Sequence, residues 1–193
     1  MIAGVIETAL RRRAWRNIAP IAPFVQGSAV LDLGAAEGWN AEALGERDPE
    51  CEIRLADVVD LNRSAYPLTL YDGQNLPFAD ESFDTVLLLL VLHHCAAPEQ
   101  VLAEAVRVAR QRVIVTESVY RTLPGRGLLW SLDTLVNTIR SRNLMPAALH
   151  FRPVPAWEAL FARHDLKLRE TLWLSTGLHR HVGFILDKSY QRL

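Results

Sequence analysis

Cysteine and lysine are nearly absent from this chain of 193 residues, which has two of each: Cys51 and Cys95, Lys167 and Lys188. Two cysteines cannot build a disulfide framework, and neither lies in a CxxC pair that would bind zinc, so a reducing, cytoplasmic setting is expected. Long apolar runs are also lacking. The longest aliphatic stretch, Val86 to Leu92, falls well short of the ~20 residues that a membrane helix needs, so no stable membrane insertion is expected. No N-terminal stretch joins a basic start, an apolar stretch and a small-residue cleavage site, so export is not indicated. Charge of one sign is not in excess either: 21 Lys and Arg face 22 Asp and Glu. Within that balance, residues 1–100 hold 7 Arg against 15 acids, and residues 101–193 hold 14 bases against 7 acids. The bases are scattered singly rather than gathered in a stripe, so no nucleic-acid partner is expected. Arg11-Arg12-Arg13 with Arg16 is the one cluster.

With 50% hydrophobic and 22% charged residues, the chain has an ordinary globular balance, and its length favours a single domain over residues 1–193. Residues 3–18 read as an amphipathic helix ended near Pro20. Ala29 to Leu33 reads as a short apolar strand, broken by Gly34-Ala35-Ala36-Glu37-Gly38 and followed by helical spacing over 39–46. Further strands are expected at Ile53 to Ala56, Pro67 to Tyr71, Thr85 to Val91 and Arg112 to Thr116, with a helix from Glu99 to Arg110. The fourth strand is apolar on both faces, the pattern of a central parallel strand covered on both sides. Strand and helix alternating at this spacing imply a doubly wound α/β sheet. Towards the C-terminus, a helix over Ala156 to Arg163 precedes two strands, Leu166 to Leu174 and His181 to Leu186, spaced as an antiparallel hairpin.

In such a sheet, ligands bind beyond the carboxyl ends of the strands, and the chemistry-bearing residues fall there. Gly34 and Gly38 permit a tight turn that exposes backbone N–H groups. Asp57 closes the second strand, where a carboxylate can accept hydrogen bonds from ribose hydroxyls. Asp72 follows the third strand, within reach of an adenine amino group, and Asp32 anchors the glycine loop or meets a ligand's ammonium group. With Ala36 between the two glycines, the loop fits the dinucleotide fingerprint GxGxxG poorly. Three carboxylates repel a pyrophosphate and suit a ligand with positive charge, such as a sulfonium and an α-amino group. A nicotinamide-dependent oxidoreductase is therefore disfavoured.

These residues carry a resemblance. Val30 to Gly38 resembles the first motif of the class I S-adenosylmethionine-dependent methyltransferases. Asp72 to Asp84, Val91-Leu92-His93-His94 and Glu104 to Val108 resemble the ubiquinone/menaquinone-biosynthesis-like (type 11) branch, as do Phe151-Arg152 and Trp157 to Phe161. The resemblance implies a mostly parallel seven-stranded sheet with an antiparallel last strand, and S-adenosylmethionine as cofactor. It places Asp32, Gly34, Ala36 and Gly38 at the methionine end, and Asp57 and Val58 at the ribose and adenine edge. Asp72 and Gly73 fall at the adenine, and Leu89 on the strand-four backbone beside the ligand. Two positions depart from the pattern: Ala36 replaces the usual middle glycine, and Arg110-Gln111-Arg112 replaces a Lys-Pro-Gly-Gly turn. A ribosomal-RNA 2′-O-methyltransferase is rejected, because it needs a lysine before the glycine loop.

The implied activity is methyl transfer to a small-molecule acceptor, with a homodimer left open. The alternative is a catalytically reduced cofactor-binding protein or partner subunit, for which the two departures speak. His94, then His93, is the candidate general base, because an imidazole titrates near neutrality; a histidine held by backbone at a helix start is the competing reading, and no metal site is expected. Glu117 either binds the acceptor or caps the structure. Asp133 and Asn137, one helical turn apart, are substrate candidates on a helical insertion (residues 120–155) that would roof the acceptor pocket. Residues 1–24 would form a helical lid. Trp39 packs on the cofactor or supports the first helix of the sheet domain.

Overall fold

In the computed structural model, residues 2–121, 125, 127, 129–131, 150–175 and 180–189 are described. Helix α1 (Ile2–Ile18) leads into strand β1 (Ala29–Leu33), helix α2 (Trp39–Gly45) and strands β2 (Glu52–Asp57), β3 (Leu68–Leu70) and β4 (Phe83–Leu89). Helix α3 (Pro98–Val108), strand β5 (Ala109–Val119), helix α4 (Val154–Arg163) and strands β6 (Leu166–Ser175) and β7 (Arg180–Lys188) follow. The seven strands form one sheet in the order β3-β2-β1-β4-β5-β7-β6. Strands β1 to β5 pair in parallel, and β7 runs antiparallel to both β5 and β6. The expected seven-stranded α/β sheet is present, with its antiparallel last strand inserted between β5 and β6.

The period of two in the strands decides which layer each side chain enters. Leu31, Leu33, Val86, Leu88, Val113, Val115 and Phe184 point to one face, where α3 and α4 bury Val101, Leu102, Trp157 and Phe161. Val30, Leu87, Leu89, Ile114 and Ile185 point to the other, beneath Ala14 and Ile18 of α1 and Ala41 and Leu44 of α2. Every residue of β4 is buried, which is why it reads as an unbroken apolar run.

One boundary differs from expectation. The α3 helix stops at Val108 and β5 begins at once with Ala109, so Arg110, Gln111 and Arg112 lie in the strand and form no turn. The register slips between Phe83 and Thr85, where Arg110 and Gln111 both bond the Asp84 carboxylate, which also accepts the Ala29 N–H at 3.1 Å. That irregularity absorbs the change from helix to strand, so a glycine turn is unnecessary.

Arg112, almost completely buried, ties the distal sheet to the N-terminal segment. It donates to Asp187 of β7 at 2.9 and 2.5 Å and to the Phe24 carbonyl at 2.6 Å. Replacing it with methionine leaves the Phe24 carbonyl and Asp187 Oδ1 without this donor, while Asp187 Oδ2 keeps Arg169 at 3.5 Å. We expect Arg112→Met to cost about 2 kcal/mol, measured by urea denaturation; a change below about 0.5 kcal/mol would refute this role.

Candidate functional site

The first strand ends in a loop that only an unusual backbone can make. Gly34 has φ 77°, and a Cβ there would come within 2.6 Å of Val91, so the turn after β4 packs directly on the loop. Gly38, at φ 78°, starts α2, and a Cβ there would meet Ser64 at 2.5 Å. Between them Ala36 also adopts the left-handed region, at φ 49°. An alanine is strained there by about 1 kcal/mol or more, and its N–H is held by Asp57 Oδ2 at 2.8 Å.

The three carboxylates occupy the ends of three adjacent strands and do different things. Asp57, the last residue of β2, accepts the Ala36 N–H with one oxygen and the Val58 N–H at 2.7 Å with the other. The first oxygen, Oδ2, keeps a second lone pair that a ligand hydroxyl can use, whereas Oδ1 also accepts the Val59 N–H at 3.3 Å. Asp72 accepts N–H bonds from Gln74 (2.8 Å) and Asn75 (2.7 Å), which hold its carboxyl below the usual range. Beyond it, Gly73 lies against half-exposed Val58, where a Cβ would stand 3.3 Å from that side chain. Asp32 is 1% exposed, and neither of its oxygens has a hydrogen-bond partner among the described residues. Burial, then repulsion from Asp57, pushes its pKa up to about 7. A buried carboxylate left without a partner is costly, and a cation satisfies it. This donor set fits a sulfonium or ammonium group and does not fit a phosphate.

The fourth strand ends at Leu89, buried beside the loop. The chain then passes through Leu90, at φ 63°, into a 3-10 turn over Leu92–His94. His93 is sealed inside: its Nδ1 lies 2.5 Å from Glu117 Oε2, and Glu117 Oε1 accepts the Leu92 N–H at 2.9 Å. His94 is only partly covered, and its N–H bonds the Val91 carbonyl at 2.9 Å. The candidate base is thus on a turn beyond the strand, and of the two imidazoles His94 is the accessible one. Both Glu117 oxygens are engaged by the protein, one by the Leu92 N–H and one by His93. Asp133 and Asn137 lie outside the described residues, as does most of 120–155.

One neighbour, Tyr71, had no role assigned from the sequence, and Cys95 lies beside it. Tyr71, directly after β3, is flanked by Cys95, Asp57 and Asp72; burial first, then these charges, raise its pKa. Burial, then Glu117 and Asp57, likewise push the Cys95 thiol up to about 12. The position of Tyr71 one residue before Asp72 was the available signal. Trp39 is buried under Arg11, whose guanidinium sits 4.0 Å from the ring centroid and donates to Glu42 at 2.6 Å, so α1 is fastened onto α2.

Residues 31–115 match the methyltransferase-domain family. Over that stretch the chain is similar to methyltransferase domains. It is 31% identical to the demethylmenaquinone methyltransferase of Paenarthrobacter aurescens over 120 residues, 58% of this chain and 47% of that protein. The chain thus spans about half the length of the curated relatives it matches. Its fold is shared with a chain of the complex between the Haloferax volcanii Trm112 methyltransferase activator and a methyltransferase, at TM-score 0.73 and 12% identity, over 96% of this chain and 94% of that one. It is also shared with the magnesium protoporphyrin IX methyltransferase of Synechocystis with bound S-adenosylhomocysteine, at TM-score 0.62 and 16% identity, over 96% and 84% of the two chains.

Two measurements test this site. Ala36→Gly relieves the strained loop and should stabilise the domain by about 1 kcal/mol, raising the thermal midpoint by about 2–4 °C; a lowered midpoint would contradict the strain. Asp32 takes up a proton on folding, because its folded pKa near 7 exceeds the unfolded value of about 4. Its stabilising contribution is complete below about pH 4 and is lost as pH rises through 7, about 4 kcal/mol in all. Asp32→Asn should therefore be more stable than the ligand-free wild type at pH 8, and this advantage should shrink towards pH 5. Parallel stability–pH curves for the two proteins would exclude the shift.

Proposed function

We propose that this protein transfers a methyl group from S-adenosylmethionine to a small-molecule acceptor in the cytoplasm. The observation that carries the reading is the buried, unpartnered carboxylate of Asp32 beside Asp57, at the edge where β1 and β2 end. When bound, S-adenosylmethionine supplies an electrophilic methyl group activated by its sulfonium charge. Asp32 compensates cationic charge at the methionine end, with the loop of Gly34, Ala36 and Gly38 offering backbone around it. Asp57 and Val58 take the ribose and the adenine edge, Asp72 and Gly73 the adenine, and Leu89 borders the ligand from β4. Together α1 and residues 19–24 serve as the lid, and 120–155 as the acceptor roof carrying Asp133 and Asn137, all within one domain.

The chemistry left to the protein is to align the acceptor and exclude water. For a phenol, hydroxyl or enolisable carbon a proton must also leave, and His94 is placed to take it. Tyr120, Leu129 and Phe151 pack together at the end of β5, an apolar wall that suits an aromatic acceptor. The demethylmenaquinone methyltransferase name of the relatives agrees with that class. One chain suffices for this scheme, and a homodimer is compatible with it.

Calorimetric titration with S-adenosylmethionine and S-adenosylhomocysteine tests the reading. Both should bind, and Asp57→Ala should weaken them by about tenfold or more, the value of a hydrogen bond to a charged group. Failure of both to bind the wild type would refute it. Turnover, followed as S-adenosylhomocysteine released with a panel of phenols and reduced naphthoquinones, should fall by about 100-fold in His94→Ala. A loss below about tenfold would remove His94 from the reaction.

A further inference from the structure

The Glu117–His93 pair joins three segments through buried side chains. Glu117 comes from the end of β5, is completely buried, and spends one oxygen on the Leu92 N–H and the other on His93. His93 belongs to the turn after β4, whose preceding residue Val91 packs on Gly34 of the cofactor loop. The chain returning from the acceptor side reaches the same imidazole. The His150 N–H donates to the His93 carbonyl at 3.1 Å, and the Phe151 ring stacks on the His93 ring at 4.9 Å and 21°. Arg152 then donates to Glu99 of α3 at 2.7 Å. The His93 ring centroid also lies 4.2 Å from that of His94.

A buried carboxylate accepts hydrogen bonds and cannot donate them, so the nitrogen facing it, Nδ1, carries a proton. The imidazole is thereby fixed in one tautomer and one orientation, as the partner of a histidine ring nitrogen does elsewhere. We propose that Glu117 and His93 form a positioning dyad. It locks the turn after β4 and the returning segment 150–152 to the end of β5, so that His94 and the acceptor-side wall hold a fixed relation to the cofactor loop. His93 takes no proton from substrate in this arrangement and acts through its neighbour. The function assigned to His94 rests on the methyltransferase reading, whereas the lock itself does not.

The test reads the lock without an acceptor. Long-range ¹H–¹⁵N spectra of the 193-residue chain report which ring nitrogen of His93 is protonated, and amide exchange reports the His150 N–H. In the wild type, Nδ1 should be protonated. Glu117→Gln retains an acceptor for Leu92 but loses the carboxylate. It should alter the His93 ring pattern and speed exchange at His150 by about tenfold, while amides of α1 and α2 and S-adenosylmethionine binding stay within about twofold. His93→Asn, which keeps a donor near the position of Nδ1, should restore most of the protection lost in His93→Ala. An unprotonated Nδ1 in the wild type, or unchanged His150 exchange in both Glu117→Gln and His93→Ala, would overturn the proposal. So would equal acceleration across all segments, the mark of general destabilisation. If Glu117→Ala or His93→Ala does not fold, Glu117→Gln and His93→Asn decide between these outcomes. Loss of cofactor binding by the wild type would count against the methyltransferase reading and leave the dyad standing.

Discussion

An uncompensated carboxylate at the centre of the sheet organises this site. Asp32 sits between β2 and β4, paired in register with Leu55 and Leu87, where water cannot reach it and no described side chain or backbone group bonds it. Burial with a second carboxylate nearby makes its charged form costly. A fold tolerates such a group when a ligand supplies the missing partner, and strain of this kind concentrates at functional sites. The left-handed Ala36 and Gly34 form the rest of the cradle, and Asp57 ties that loop to β2.

The architecture was largely legible because its signals are local and periodic. A fully buried β4 reads as an unbroken aliphatic run, α3 shows apolar residues at helical spacing, and β6 and β7 follow closely enough to pair. The seam between α3 and β5 was not legible. Its register slip depends on Asp84 meeting Arg110 and Gln111 from another strand, a contact between residues about 26 positions apart. Sequence spacing carries no trace of such a meeting.

The candidate site divides in the same way. The strand-end positions of Asp32, Asp57 and Asp72 follow from a sheet whose strands end where glycine and aspartate cluster. Their individual roles do not follow. Which carboxylate is left bare, which ties down a loop and which caps its own turn emerges only from the three-dimensional neighbours. His93 and His94 are adjacent and chemically identical, yet one is enclosed against Glu117 while the other is partly exposed. The difference is made by residues 117 and 150–151, remote in sequence. On the proposed reading, a carboxylate-lined cradle for a cationic nucleoside is joined by the turn after β4 to the side where the acceptor would bind.

The most direct test of the cradle is the proton count of ligand binding. S-adenosylmethionine would be titrated near pH 6.5 in buffers of different ionisation enthalpy, so that heat from released protons separates from heat of binding. The account predicts release of a substantial fraction of one proton as Asp32 ionises against the cationic ligand, and none from Asp32→Asn. Binding without proton release in the wild type, or with the same release in the variant, would contradict it.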